Sequence, residues 1–319
     1  MLPTYAAWLG VDWKTDAEQT SIRMILRCLR TTLKWVHDKD ERRLMKSILP
    51  ILKTVFADNR PRDWSLYTIK AVIWQLRKRW GHSFDVCLDN GAKVRVHPST
   101  AYSGIFYARH PEGDDLAFIR KHADLANTFV DVGANVGLFS ASLFDCFKKV
   151  ICFEPAPSSF RALSETCALN PQVKCELHNI GVGDEPGELF FEDEFDYSTT
   201  SRFVAEGGEN TIRIAIDTLD RILGVSGEPL VMKVDVEGFE ERVFAGADKL
   251  FASQRVKLLM FERLGRTNIH KVCGFFGERG YTVFRVVEGL HTTTDAALIF
   301  EPCINLFACP SELYSQLAS

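Results

Sequence analysis

In the stretch Leu230–Glu240, "LVMKVDVEGFE", three ionisable side chains interrupt an apolar run: Lys233, Asp235 and Glu237 alternate. Charges in such a run are costly unless they neutralise one another or perform chemistry. One reading is a Lys233–Asp235 ion pair that secures a strand against its neighbours. The other makes Asp235 or Glu237 the group that orients and deprotonates a hydroxyl, with Lys233 setting its charge state. Alternation would put all three on one face of an extended strand, converging on its carboxyl end. Glu262 closes the next apolar run, "VKLLMF", and is a candidate to complete the constellation. Clustered carboxylates could also hold a divalent cation, but a resident metal is not expected and no residue is assigned as its ligand.

A second constellation lies in "FVDVGANVGLF", Phe129–Phe139, where an apolar run meets Asp131 and then Gly133, Asn135 and Gly137 at alternate positions. Glycines let a backbone approach a ligand closely, and a strand-to-helix turn can offer it N–H groups. The dinucleotide fingerprint GxGxxG fails here at its middle and last glycines, and the chain contains no GxxxxGK[ST] phosphate loop. A carboxylate at Asp131 would repel a pyrophosphate and pair with an ammonium. Glu154 follows Gly133 by 21 residues and ends the next apolar run, where an acid can take both hydroxyls of a ribose. An amine, a ribose and no demand for phosphate binding describe S-adenosylmethionine.

These residues need a scaffold that brings strand ends together. From about 128 onward, apolar strands alternate with helices: "TFVDV", a helix near 138–147, "KVICFE", a helix over 158–170, "VKCELHNIGVG", a less regular stretch 184–228, "LVMKVDV", a helix over 240–251, "VKLLMF", a helix near 267–279, "YTVFRVV" and "AALIF". Strands that are apolar throughout, with helices between them, predict a parallel sheet covered on both faces, an α/β fold whose ligands bind at the strands' carboxyl ends. Ahead of this series, "FDVCLDNGAKVRVHP" reads as a hairpin with a type I′ turn at Asn90-Gly91.

Residues 1–83 differ in character. Helical spacing of Ile22, Ile25, Leu26, Leu29, Leu33 and Val36 opposes Arg23, Arg27, Arg30 and Lys34, and further apolar runs span 44–56 and 64–80. This head carries a net charge of +8 and the remainder −12, within a total of −4. The expected organisation is therefore a small helical region, 1–83, followed by a ligand-binding domain, 84–319. The basic helices suit either a cap packed on the body or a surface that meets a membrane or polyanion. The nine cysteines form no CxxC pair, which argues against a zinc knuckle or disulfide framework. With no basic-then-apolar leader and no window of about 18 apolar residues, the chain is expected to be cytoplasmic, without a membrane span.

The motifs "FVDVGANVGLFS", "VICFEPAPSSFRAL", "LHNIGVGDEPGEL", "IDTLDRIL" and "VMKVDVEGFEERVFAGA", in this order, resemble the FkbM family of S-adenosylmethionine-dependent methyltransferases. The resemblance covers about 100–300 and is tightest over 128–262. It implies a Rossmann-like class I methyltransferase fold, a seven-stranded mostly parallel sheet whose last strand pair is antiparallel, and O-methylation of a sugar, glycan or other natural-product hydroxyl. Asp131, Gly133, Asn135 and Gly137 match that family's cofactor loop, Glu154 its ribose acid and Asp184 its acid near the adenine, although Asp184 also suits a turn ahead of Pro186-Gly187. The loops 102–115 and 192–203 are candidates to face the acceptor. A nucleic-acid substrate is not expected, because no [ND]PP[YF] tetrapeptide stands at "DVEG". A nicotinamide-linked oxidoreductase and a catalytically inactive binding module are the alternatives from other classes.

Overall fold

The computed structural model describes residues 64, 66–70, 83–97, 113–192, 202–204, 207–208, 211–265, 267–301 and 304–318. The chain divides into two compact units, one of Met1–Phe84 with Val96–Pro111 and one of Asp85–Arg95 with Glu112–Ser319. Residues 96–111 fall with the first unit. Of that unit's expected helices, Trp64 and Leu66–Lys70 are helical; the runs at 22–36 and 44–56, and the loop 102–112, lie outside the described residues.

The strands are β1 (Phe84–Cys87), β2 (Lys93–Val96), β3 (Thr128–Val132), β4 (Lys149–Phe153), β5 (Lys174–His178), β6 (Gly181–Val182), β7 (Gly187–Glu192), β8 (Arg202–Val204), β9 (Thr211–Asp217), β10 (Leu230–Val234), β11 (Val256–Arg263), β12 (Tyr281–Val287), β13 (His291–Thr293) and β14 (Ile304–Pro310). The helices are α1 (Gly113–Lys121), α2 (Leu138–Ala141), α3 (Pro157–Ala168), α4 (Leu219–Leu223), α5 (Glu240–Ala245), α6 (Asp248–Ala252), α7 (Ile269–Glu278), α8 (Ala296–Ile299) and α9 (Ser311–Leu317). Among the described residues the main sheet runs β5-β4-β3-β10-β11-β14-β12-β13. Strands β3, β4, β5, β10 and β11 pair in parallel, while β14 runs antiparallel to both β11 and β12. The seven strands from β5 to β12 reproduce the class I methyltransferase sheet that the resemblance implies, and β13 adds an eighth at the edge. Chain order reverses between β3 and β10, which makes their carboxyl ends the topological switch point where such sheets bind ligands.

Every residue of β3 and of β10 is buried, as a parallel strand covered on both faces requires. Alternation sorts their side chains. Val130, Val132, Met232, Val234 and Phe261 join the core beneath α4–α7, so Asp131, Lys233 and Glu262 turn to the opposite face. That core is aromatic: Phe276 lies 5.0 Å from Phe244 and 5.2 Å from Phe251, edge to face.

Several local expectations are corrected. The stretch 184–228 is not irregular: β7 pairs with β8 and β9, and β6 with β9, to form a second, four-stranded sheet. "AALIF" is no strand. Asp295 caps it by accepting the Ala297 N–H at 2.8 Å, Ala296–Ile299 turns helical, and the antiparallel strand is β14. The helix expected over 240–251 breaks between α5 and α6, where a Cβ on Gly246 would stand 1.9 Å from the Gly183 carbonyl oxygen. In the β1–β2 hairpin Gly91 takes the positive φ (83°) and Asn90 does not, so the turn is not type I′. The Asn90 amide is held instead by Ala141 O at 2.9 Å and Asp145 Oδ1 at 3.0 Å.

Candidate functional site

The loop from β3 to α2 owes its composition to its backbone. Gly133, Asn135 and Gly137 have φ of 83°, 50° and 80°, so every second residue is left-handed, a conformation glycine adopts freely and asparagine tolerates. Gly133 has a further constraint: a Cβ there would stand 1.8 Å from the Asp235 carbonyl oxygen. The loop's N–H groups, expected to face a ligand, are turned to the protein. Gly133 and Ala134 both donate to Phe153 O at 3.0 Å, and Asn135 donates to Glu154 Oε2 at 2.8 Å.

Glu154 fastens two segments, because its Oε1 also accepts the Ala156 N–H at 2.8 Å. Only 6% of the residue is exposed. Burial pushes its carboxyl up to about 7, against the pull of the Ala156 and Asn135 N–H groups.

Asp131 and Lys233 are cross-strand partners at the switch point. Asp131 is fully buried, with Lys233 Nζ 3.7 Å from Oδ1 and the Ser140 hydroxyl donating to Oδ2 at 2.6 Å. Burial pushes Asp131 above the usual carboxylate range, while Lys233 and Ser140 oppose the rise. Lys233 also donates to Asp235 Oδ2 at 2.9 Å, so one ammonium bridges two carboxylates from adjacent strand ends.

Beyond β10 the pleat stops. Asp235 and Glu237 lie in the turn to α5, and Glu237 is left-handed, with φ 54°. Glu237 therefore reaches its place by turn geometry, not by the strand alternation expected from sequence. A non-glycine residue held there stores strain of roughly 1–2 kcal/mol. The turn brings Asp235, Glu237 and Glu262 together, with one carboxylate oxygen from each within 4.8 Å of the others. Their spacing would also suit a divalent cation. Burial, followed by Asp235, Glu237 and Glu240, pushes Glu262 up to about 8, with Lys233 opposing. At neutral pH Glu262 thus keeps its proton, while the one Lys233 ammonium is shared by Asp131 and Asp235.

The Glu262 proton has a measurable consequence. Its folded value lies above the roughly 4.3 of an unfolded glutamate, so this group's stability contribution is whole at low pH and is lost as pH rises through about 8. Glu262→Gln, neutral throughout, should unfold at higher temperature than the parent at about pH 8.5 and approach it below about pH 4. Thermal unfolding at the two pH values checks the sign.

Asp184 sits apart from this group, in an ion pair with Arg242 at 2.7 Å, and the Arg242 guanidinium lies 4.7 Å over the Phe239 ring. The structure thus gathers Asp131, Lys233, Asp235, Glu237 and Glu262 at one sheet edge, with Glu154 closing the adjoining loop, and ties Asp184 to α5. Sequence reasoning did not single out Ser140, Arg242 or Glu240. Glu240 is 2% exposed, and its Oε1 accepts the N–H groups of Val236 at 3.2 Å and Gly238 at 2.9 Å. The signal available for it was "EGFE", an acid placed two residues after a turn glycine.

The methyltransferase FkbM domain matches residues 131–283, a span that begins at Asp131 and holds every candidate residue above. Over that span the chain is similar to FkbM methyltransferase domains. The hexuronic acid methyltransferase AglP of Haloferax volcanii is 30% identical to it over 152 residues, 47% of this chain and 62% of that protein's length. A solved S-adenosylmethionine-dependent methyltransferase from Agrobacterium tumefaciens superposes with a TM-score of 0.40 at 10% identity, covering 72% of this chain and 71% of that one. For the magnesium protoporphyrin IX methyltransferase (ChlM) from Synechocystis PCC 6803 the TM-score is 0.37 at 13% identity, covering 62% and 77%. No helix among the described residues is long and apolar enough to cross a membrane.

Proposed function

We propose that the chain transfers a methyl group from S-adenosylmethionine to a hydroxyl oxygen of a sugar, glycan or other small natural product. The observation that carries this reading is the meeting of Asp235, Glu237 and Glu262, beside Lys233, at the switch point where the β3 loop ends. The similarity to FkbM domains and the name of the hexuronic acid methyltransferase support it, and they make a uronic-acid-bearing glycan the first acceptor class to test.

The donor set suits that cofactor. Carboxylates dominate this edge, which favours a sulfonium and an ammonium and disfavours a phosphate. Each oxygen of Glu154 accepts one backbone N–H and keeps a further lone pair, enough for the two ribose hydroxyls. Asp131, wholly buried, acts through Lys233 and the loop rather than by direct contact. When bound, S-adenosylmethionine supplies an electrophilic methyl carbon. The chain's own work is to align an acceptor hydroxyl, a contribution of several kcal/mol, and to remove its proton. Asp235 and Glu237 are the acceptors of that proton, with Lys233 holding Asp235 and the Glu262 carboxyl available as a hydrogen-bond donor.

Two measurements follow. Methyl-labelled S-adenosylmethionine offered with glucuronate-bearing and neutral oligosaccharides should leave its label on a sugar oxygen, with and without chelator. Label that reaches no hydroxyl while the cofactor is bound would overturn the reading. Glu154→Ala should weaken S-adenosylmethionine roughly ten- to hundredfold, the loss of a charge-assisted hydrogen bond of about 1.5–3 kcal/mol. Unchanged affinity by calorimetry would remove Glu154 from the site.

A further inference from the structure

We propose that Glu240 is the positioning residue for the proton acceptor: its carboxylate gathers the N–H groups on both sides of Glu237 and so holds the left-handed turn that keeps Glu237 with Asp235 and Glu262. This rests on the reading of Glu237 and Asp235 as the pair that takes the acceptor's proton.

The geometry is that of a clasp. One oxygen, Glu240 Oε1, receives the Val236 N–H at 3.2 Å and the Gly238 N–H at 2.9 Å, and the residue between them is Glu237. Two consecutive residues, Glu237 at φ 54° and Gly238 at φ 95°, are left-handed there. A glutamate does not adopt that conformation without something to hold it. The near end of the turn is fixed independently, since the Asp235 N–H donates to Val132 O at 2.9 Å and the Asp235 carbonyl abuts Gly133. At the far end the Phe239 carbonyl accepts the Arg242 and Val243 N–H groups of α5 at 3.1 and 3.2 Å, and Glu240 closes the turn itself from Val236 to Gly238. At 2% exposure the Glu240 side chain is shielded from water, which would otherwise compete for those N–H groups. Glu240 is also the first residue of α5, so the clasp ties the turn to a helix packed in the core through Val243 and Phe244. Without the clasp the turn can relax towards right-handed backbone, carrying the Glu237 carboxylate away from Asp235 and Glu262. Displacement of a reacting group by about 1 Å can cost as much as a hundredfold in rate.

The test compares Glu240→Gln, Glu240→Ala, Glu240→Asp, Glu237→Gln and the double variant Glu237→Gln with Glu240→Ala. The readouts are thermal unfolding, calorimetry with S-adenosylhomocysteine, and kcat and KM against pH with a glucuronate-bearing oligosaccharide. Glutamine keeps an oxygen that accepts both N–H groups, so Glu240→Gln should stay within about threefold of the parent, whereas Glu240→Ala should lower kcat by about ten- to hundredfold with little change in cofactor affinity. In the Glu237→Gln background Glu240→Ala should cost no further rate, because the residue it positions is already disabled. If the alanine variant does not fold, Glu240→Asp, one carbon too short to reach both N–H groups, takes its place with the same expected loss. Equal activity of the Gln and Ala variants, full additivity in the double variant, or an effect confined to unfolding temperature would each overturn the inference while leaving the base assignment intact. Near-normal turnover of Glu237→Gln and Asp235→Asn would instead overturn the base assignment, and the role of Glu240 with it.

Discussion

Asp235→Asn and Glu237→Gln are each expected to lower turnover at least about tenfold, and up to the 10²–10⁴ that a positioned base contributes, with little change in cofactor affinity. The amides preserve shape and hydrogen bonding while removing the capacity to take a proton. Both residues lie past the end of β10, and Asp235 meets the β3 loop through its backbone carbonyl beside Gly133, which a side-chain amide leaves in place, so cofactor binding should be spared. The measurement is kcat under saturating S-adenosylmethionine, with and without chelator, since a bound cation would make the carboxylates ligands instead of bases. Near-normal turnover in both variants would reduce this turn to a structural element and move the search for a base to the loops at 102–115 and 192–203.

Loss of Lys233 is expected to damage the fold more than any other single change at this edge. The Lys233 and Asp131 side chains are 5% and 0% exposed, and removal of one partner leaves a buried charge uncompensated, typically a cost of 3–5 kcal/mol. Lys233→Met should therefore lower stability by about that amount, and the double variant Lys233→Met with Asp131→Asn should recover most of it. The deficit has a pH signature. Without its cation Asp131 titrates far above its unfolded value, so stability is retained at low pH and lost as pH rises. Denaturant unfolding of the three proteins at about pH 5 and about pH 8 decides the matter; a single variant no less stable than the double would show the ion pair to be dispensable.

What the sequence made legible was decided by locality. "TFVDV" and "LVMKV" read as buried parallel strands because apolar residues fill both faces, each run broken by a single charge, Asp131 or Lys233, and the motifs that follow them located the sheet edge. "AALIF" is equally apolar and was misread, because its conformation is set by the Asp295 cap and by the pairing of β14 with β11 and β12. Neither is visible in five apolar letters. Glu237 was placed by strand parity, which ceases at Val234; the turn that positions it depends on an acid three residues later. Asp184 was read as a ligand residue or a turn aspartate, and its Arg242 partner lies 58 residues away. The second sheet, by contrast, was within reach: "TIRIAID" alternates in burial as half-covered strands do, but the loops around it obscured the period.

The contact between Gly133 and the Asp235 carbonyl, where a Cβ would stand only 1.8 Å from the oxygen, has a consequence for how such a protein can diverge. Two loops that meet backbone to backbone leave no side chain at their junction for selection to vary. A change at position 133 pushes on both strand ends at once, so the joint is frozen together with the sheet register beneath it. New acceptors must then be accommodated by residues that hang clear of that joint, and the junction itself should pass unaltered through whatever history reshapes the surfaces around it.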